Sequence, residues 1–262
     1  MRIAATCAAL AVLAGPASAQ TSDVTEERQM TLQKSGILVQ AFLEISLSQD
    51  AVAKPISLAP DVWYGVSDIL TVGLVHSSRA ATGLLGTAGD GLCLTGSDNG
   101  CAKFYNSVGV DGRYHLYRAG NITVSADSGL FARSFDPFAL ALKAGAVGRW
   151  ESGQLAFEAA PSLFLGVTER QGYNKEQLIL PGTALYAITP KIGLAGQLGI
   201  VLPVEDAGNL FLLGLSVGAQ YMVSDKISAD ATFSLPALVG GDAVVNDGAK
   251  GRIFTLGGSY AL

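Results

Sequence analysis

Charge is what this sequence has least of. Only 15% of its 262 residues are Asp, Glu, Lys or Arg, while 49% are hydrophobic; ordinary soluble domains carry about a quarter charged residues. A chain this lipophilic ought to hold a membrane-spanning helix, yet no window reads as one. The best candidate, Ala207 to Ser224, is uncharged but interrupted by Asn209, Gly214, Ser216, Gly218 and Gln220. A helix spans with about 20 consecutive apolar residues, and small or polar residues at every second or third place do not fit it. A basic excess is missing too: the net charge of -5 gives nucleic acid no footing.

Cysteine and histidine are also scarce, with three and two in the whole chain. Arg2, the apolar run Ile3 to Ala14 and the small-residue site Ala17-Ser18-Ala19 read as a secretory signal cleaved before Gln20. Cys7 falls inside that removed segment. The mature cysteines, Cys93 and Cys101, enclose a turn-rich polar stretch, and in an exported chain such a pair is expected to form a local disulfide. No His or further Cys lies near the pair, so neither a metal site nor a cofactor is expected.

What the sequence does have is 32 glycines and a persistent alternation of period two, the mark of strands with one face to lipid and one to water. From Phe104 to Leu116 the even positions include Phe104, Val108, Val110, Tyr114 and Leu116, and the odd ones Ser107, Asp111, Arg113, His115 and, at the end, Tyr117. Ile192, Leu194, Leu198 and Ile200 oppose Lys191, Gln197 and Gly199 in the same way. Such windows fall near 37–47, 55–65, 69–77, 104–117, 121–131, 137–148, 154–165, 177–188, 191–202, 209–221, 226–235 and 251–262. An even strand count is what single-chain bacterial barrels have. The expected fold is therefore all-β: a transmembrane antiparallel up-and-down β-barrel of about 12 strands. Residues 1–19 form the signal peptide, 20–35 a loose periplasmic N-terminal segment and 36–262 the barrel. Connections near 78–103, 166–176 and 236–250 are long and the alternate ones are tight, which puts the tight turns and both chain ends on the periplasmic side.

Three of the tight turns repeat a pattern: Tyr64-Gly65-Val66-Ser67-Asp68-Ile69-Leu70, Tyr186-Ala187-Ile188-Thr189-Pro190-Lys191-Ile192 and Tyr221-Met222-Val223-Ser224-Asp225-Lys226-Ile227. Each resembles the periplasmic hairpins of bacterial outer-membrane β-barrel proteins. The final residues, Thr255-Leu256-Gly257-Gly258-Ser259-Tyr260-Ala261-Leu262, resemble the C-terminal assembly signal of that class, with Leu in place of the usual Phe. The resemblance implies export to the outer membrane of a Gram-negative bacterium, contact with lipid and lipopolysaccharide, and assembly through the C-terminal strand by the outer-membrane machinery. By parity Tyr64, Tyr186, Tyr221 and Tyr260 would form a periplasmic aromatic girdle.

The inward face is expected to hold Glu44, Asp61, Asp111, Arg113, His115, Asp127, Lys143, Glu158 and Asp230, with Arg113 pairing Asp127 and Lys143 pairing Glu158. Six of these are acidic and two formally basic, which favours a narrow, porin-like channel for small polar solutes or cations. A structural or surface-binding barrel, with its specificity in the disulfide-containing loop, is the second reading. The third is a barrel lipid hydrolase: His76 and Ser78 share the outward parity of Leu74, and His-x-Ser there resembles barrel lipases and lipid A deacylases. That needs a base within reach of the serine.

Overall fold

The computed structural model describes residues 30–48, 55–95, 103–171, 174–244 and 248–262. The expected signal peptide, most of the N-terminal segment and Cys101 lie outside them. The strands are β1 (Ile37–Ser46), β2 (Ile56–Ser67), β3 (Leu70–Val75), β4 (Leu92–Cys93), β5 (Val108–Ala119), β6 (Ile122–Phe135) and β7 (Phe138–Ser152). They continue with β8 (Leu155–Ala159), β9 (Ser162–Gly166), β10 (Gln177–Thr189), β11 (Ile192–Pro203), β12 (Leu212–Ser224), β13 (Ile227–Gly240) and β14 (Ile253–Ala261). Two α-helical turns, α1 (Arg79–Thr82) and α2 (Ala207–Leu210), and a 3-10 turn at Gly248–Lys250 sit in loops among the described residues.

β4 is a scrap on the β3–β5 loop, and β8 and β9 are halves of one strand, so the wall has 12 strands. Each pairs antiparallel with its neighbour, and β1 closes the barrel by pairing with β14 from Leu38↔Ala261 to Ser46↔Ile253. Closure is what hydrocarbon demands, because an edge strand there would leave backbone N–H and C=O groups with neither water nor partner. The β8/β9 break has a local cause. Pro161 has no N–H to give the ladder, and Ala146 donates to its carbonyl at 3.0 Å while Ala160 donates to the carbonyl of Pro181 at 3.2 Å.

Outward side chains are aliphatic, with Leu194, Leu198 and Val217 exposed by 46%, 58% and 53%. Their strand neighbours Gln197 and Ser216 are buried inside. One parity expectation changes along β5. A bulge between His115 and Tyr117 shifts the register, and the inserted residue turns Tyr117 to the outer surface. At the tight-turn end Tyr64, Tyr186 and Tyr221 are exposed outward and Tyr260 is half-buried. Exposed Tyr114, Tyr117, Trp150 and Phe157 add to that aromatic belt, the last two stacked at 5.8 Å. At the loop end Tyr105, Phe135 and Phe138 form a second aromatic group.

The N-terminal segment is docked, not a loose tether, over the part described. Leu32 N donates to Thr71 Oγ1 at 2.7 Å, Lys34 N to Asp68 Oδ1 at 2.9 Å and Ser35 N to Gly65 O at 2.7 Å. The segment lies so close to β2 that a Cβ on Gly65 would come within 1.9 Å of Gln33 O, so the wall carries a glycine where the strap crosses it.

The register makes a direct prediction for folding titrations into lipid. Leu198→Arg and Val217→Arg should each cost about 2 to 4 kcal/mol, the range for a cation on the lipid face near mid-membrane. Gln220→Arg, one strand position set to the inside, should cost well under half of that, and equal costs on both faces would contradict the register.

Candidate lumen site

The first part of the β3–β5 loop, residues 76–86, enters the barrel, where an outer surface loop was expected. β3 stops at Val75, two residues short of the expected strand. The next pairing position of β2 is Pro60, which has no N–H to continue the ladder, and its carbonyl is taken by the His76 ring Nδ1. Asp61 Oδ1 then accepts the backbone N–H of His76 at 2.6 Å and of Ser77 at 3.1 Å. A buried carboxylate thus turns the chain inward.

Once inside, α1 and the residues after it are held by walls on several sides. Arg79 forms an ion pair with Asp230 of β13 at 2.9 Å, donates to Thr232 at 2.8 Å and lies 4.6 Å over the Phe42 ring. Lys143 of β7 donates to Ala80 O at 2.8 Å. Gln197 of β11 donates to Thr82 O at 2.6 Å and accepts from Leu84 N at 2.7 Å. Ser216 and Ser234 both donate to Leu84 O, at 3.1 and 2.8 Å. Gly83, between these contacts, has φ +66°, and a Cβ there would lie 2.3 Å from Gln197 Oε1. No other residue combines that backbone with that clearance.

The nine charged or titratable residues expected inside are all on inward positions, but their partners differ from expectation. Lys143 lies 2.8 Å from both Asp111 and Asp127, not beside Glu158, and all three are buried. Arg113 faces Asp127 in the register, yet its guanidinium lies 5.2 Å over the Trp63 ring. Glu44 accepts from Ser57 Oγ at 2.9 Å. His115 and Glu158 are half-buried. The expected tally of six acids to two bases also changes, because Arg79, Arg133 and Arg149 add cations inside. Arg79 comes from a loop, Arg133 bonds Gln177 at 3.1 Å, and Arg149 is buried against Glu151 at 2.7 Å. Arg149 carries the same parity signal as Lys143 and was legible; Arg79 was not, because loop residues have no parity.

His76 and Ser78 do not face lipid together as expected. The His76 ring is held by Pro60 O and by Tyr105 OH, the latter at 2.9 Å. Ser78 precedes α1, where its Oγ accepts from Thr87 N and Thr87 Oγ1 at 3.1 Å. No hydrogen bond joins the two among the described residues, so the serine lacks the base a nucleophile needs. Cys93 is buried on β4, its N–H donating to Phe104 O at 2.8 Å.

Below α1, toward the tight turns, lies a lumen cavity of about 180 Å³. Arg79, Ala80, Ala81, Gly83 and Leu84 form its roof, and Met30 and Leu32 of the N-terminal strap border it at the turn end. Between them the wall offers Gln40, Asp61, Trp63, Arg113, Glu158, Leu185, Gln220 and Asp230.

No protein-family model matches the chain, and no curated protein matches its sequence. Solved structures match its shape. A NanC porin aligns with a TM-score of 0.58 at 12% identity, over 86% of this chain and 100% of that one. A KdgM porin in complex with disordered oligogalacturonate aligns at 0.56 and 8% identity, over 86% and 98%. A second KdgM porin structure gives 0.54 and 7% over 85% and 98%. The chain therefore has the closed antiparallel barrel fold of these outer-membrane porins.

Proposed function

We propose that the barrel is a narrow outer-membrane channel for small polar solutes, with the inward α1 loop as its constriction. The observation that carries this reading is a polar, charged inner face narrowed from within by a loop fixed to β7, β11, β12 and β13. The tight-turn end faces the periplasm, β14 is the strand read by the assembly machinery, and the signal at residues 1–19 is removed on export. The porin-like fold supports the reading. The hydrolase reading has lost its geometry, and a structural barrel would have no use for the cavity beneath α1.

Selectivity on this reading is weakly cationic. Glu44, Asp61, Asp111, Asp127, Glu151, Glu158 and Asp230 outnumber Arg79, Arg113, Arg133, Lys143 and Arg149, but by a narrower margin than the strands alone suggest, and most are already paired. Glu158 is the carboxylate with most influence, because it lines the cavity and forms neither an ion pair nor a hydrogen bond among the described residues, whereas Asp61 accepts two backbone N–H groups.

In a planar bilayer with a salt gradient, the purified barrel should conduct with a reversal potential of cation-favouring sign, and Glu158→Gln should move it toward zero. Gln197→Ala with Ser234→Ala should loosen α1 and raise single-channel conductance severalfold. A barrel that stays silent in both forms, although folded, would reject the channel in favour of a plugged structural barrel.

The β3–β5 loop should also be stapled by Cys93 and Cys101, a reading supported by Cys93 being held as a half-cystine. Mass analysis of non-reduced peptides should recover the bridged pair, and two free thiols in outer-membrane preparations would remove the bridge.

A further inference from the structure

Polar groups inside the barrel fall into two sets. Those beside α1 are consumed by the fold: Lys143 by Asp111, Asp127 and Ala80, Gln197 by Thr82 and Leu84, and Ser216 by Leu84 and Ser234. Of those that line the cavity beneath, Asp61, Thr71, Asp230, Thr232 and Ser228 are also engaged, but four longer side chains are not. Gln40 on β1, Arg113 on β5, Glu158 on β8 and Gln220 on β12 all line it. None of the four makes a hydrogen bond or ion pair among the described residues. Long polar arms left unsatisfied toward a space bounded above by α1 and at the turn end by Met30 and Leu32 are the pattern of a binding compartment, where a few placed polar groups fix a ligand within otherwise apolar walls.

We infer that this compartment binds one neutral, polyhydroxylated solute of the size of a single sugar ring. The inference rests on the channel reading and names the class of solute that would pause there. The volume of about 180 Å³ is below the roughly 300 Å³ at which drug-sized sites begin, so the occupant is small. Two amides, a guanidinium and a carboxylate on four different strands supply donors and acceptors in several directions, as ring hydroxyls require. Leu38, Leu185 and the Trp63 edge give the C–H faces of a sugar apolar wall. A multiply charged anion is disfavoured by Asp61 and Glu158 on the same wall, and, with Arg79 engaged by Asp230, Arg113 is the one cation among the described lining residues left to receive it. A small amino acid has the charges but not the many hydroxyls that would satisfy both glutamines at once.

The chain has two tryptophans, and Trp150 faces outward, so Trp150→Phe leaves Trp63 as a reporter inside the compartment. In detergent-folded barrel carrying that change, titration with glucose should shift Trp63 emission and saturate. Adding Gln40→Ala and Gln220→Ala should weaken glucose binding roughly tenfold or more, as expected for the loss of two hydrogen bonds, while heat-modifiable mobility and circular dichroism stay those of the folded barrel. Glucuronate and alanine are the controls, and either one binding as tightly as glucose would overturn the assigned class. Absence of a saturable response to glucose, in barrel that conducts ions in a bilayer, would overturn the site and leave the channel standing. Saturable binding by barrel that does not conduct would support the site and reject the channel.

Discussion

Everything in this molecule depends on a backbone that has to satisfy its own hydrogen bonds. In hydrocarbon no water pairs an edge strand, so β1 meets β14 over its whole length, and the circle of 12 strands follows. Closure then fixes parity, because a strand paired on both sides cannot slip by one residue without turning its whole lipid face inward. The glycines, the aliphatic outer surface and the polar lining are consequences of that one requirement. So is the small bore, which leaves a single inserted loop enough room to narrow it.

Where the ladder is interrupted, the interruptions are put to use. Pro60 ends the pairing that β3 would otherwise continue, and Asp61 takes the two N–H groups released there. The chain can then leave the wall without stranding buried donors. Inside, α1 is too short to be stable alone; its shape is imposed by Gln197, Ser216, Ser234, Lys143 and Asp230 on the surrounding strands. Lys143 has a double role, since it anchors Ala80 O and holds Asp111 and Asp127 together. Removing it would leave two buried carboxylates uncompensated, the kind of loss that costs about 3 to 5 kcal/mol.

The contrast between the two halves of the lumen follows from the same placement. Above, polar groups serve the loop; below, Gln40, Arg113, Glu158 and Gln220 face a cavity. The N-terminal strap borders the arrangement at the turn end, and its seat is written into the wall at Gly65, where a side chain would collide with Gln33. The strap and α1 are therefore parts of one inner structure carried by an ordinary barrel.

Alternation along the chain was enough to determine the all-β class, the strand count and most of the lipid-facing set, because period two is a local property that each strand expresses by itself; it failed at the β5 bulge and beyond Val75, where the chain leaves the wall. Asp111, Asp127 and Lys143 could each be assigned to the inside in that way. Their partnership could not, since it joins β5, β6 and β7 through side-chain reach that neither register nor spacing reports, and the equally plausible Lys143–Glu158 pair does not form. The inward path of residues 76–86 was decided entirely by tertiary structure. Its residues have no period, and a polar, glycine-containing loop reads the same whether it extends into water or folds into a water-filled lumen. What sends it inward is a proline and an aspartate on β2 and a ring of polar groups on strands far away in sequence, contacts that exist only once the barrel has closed.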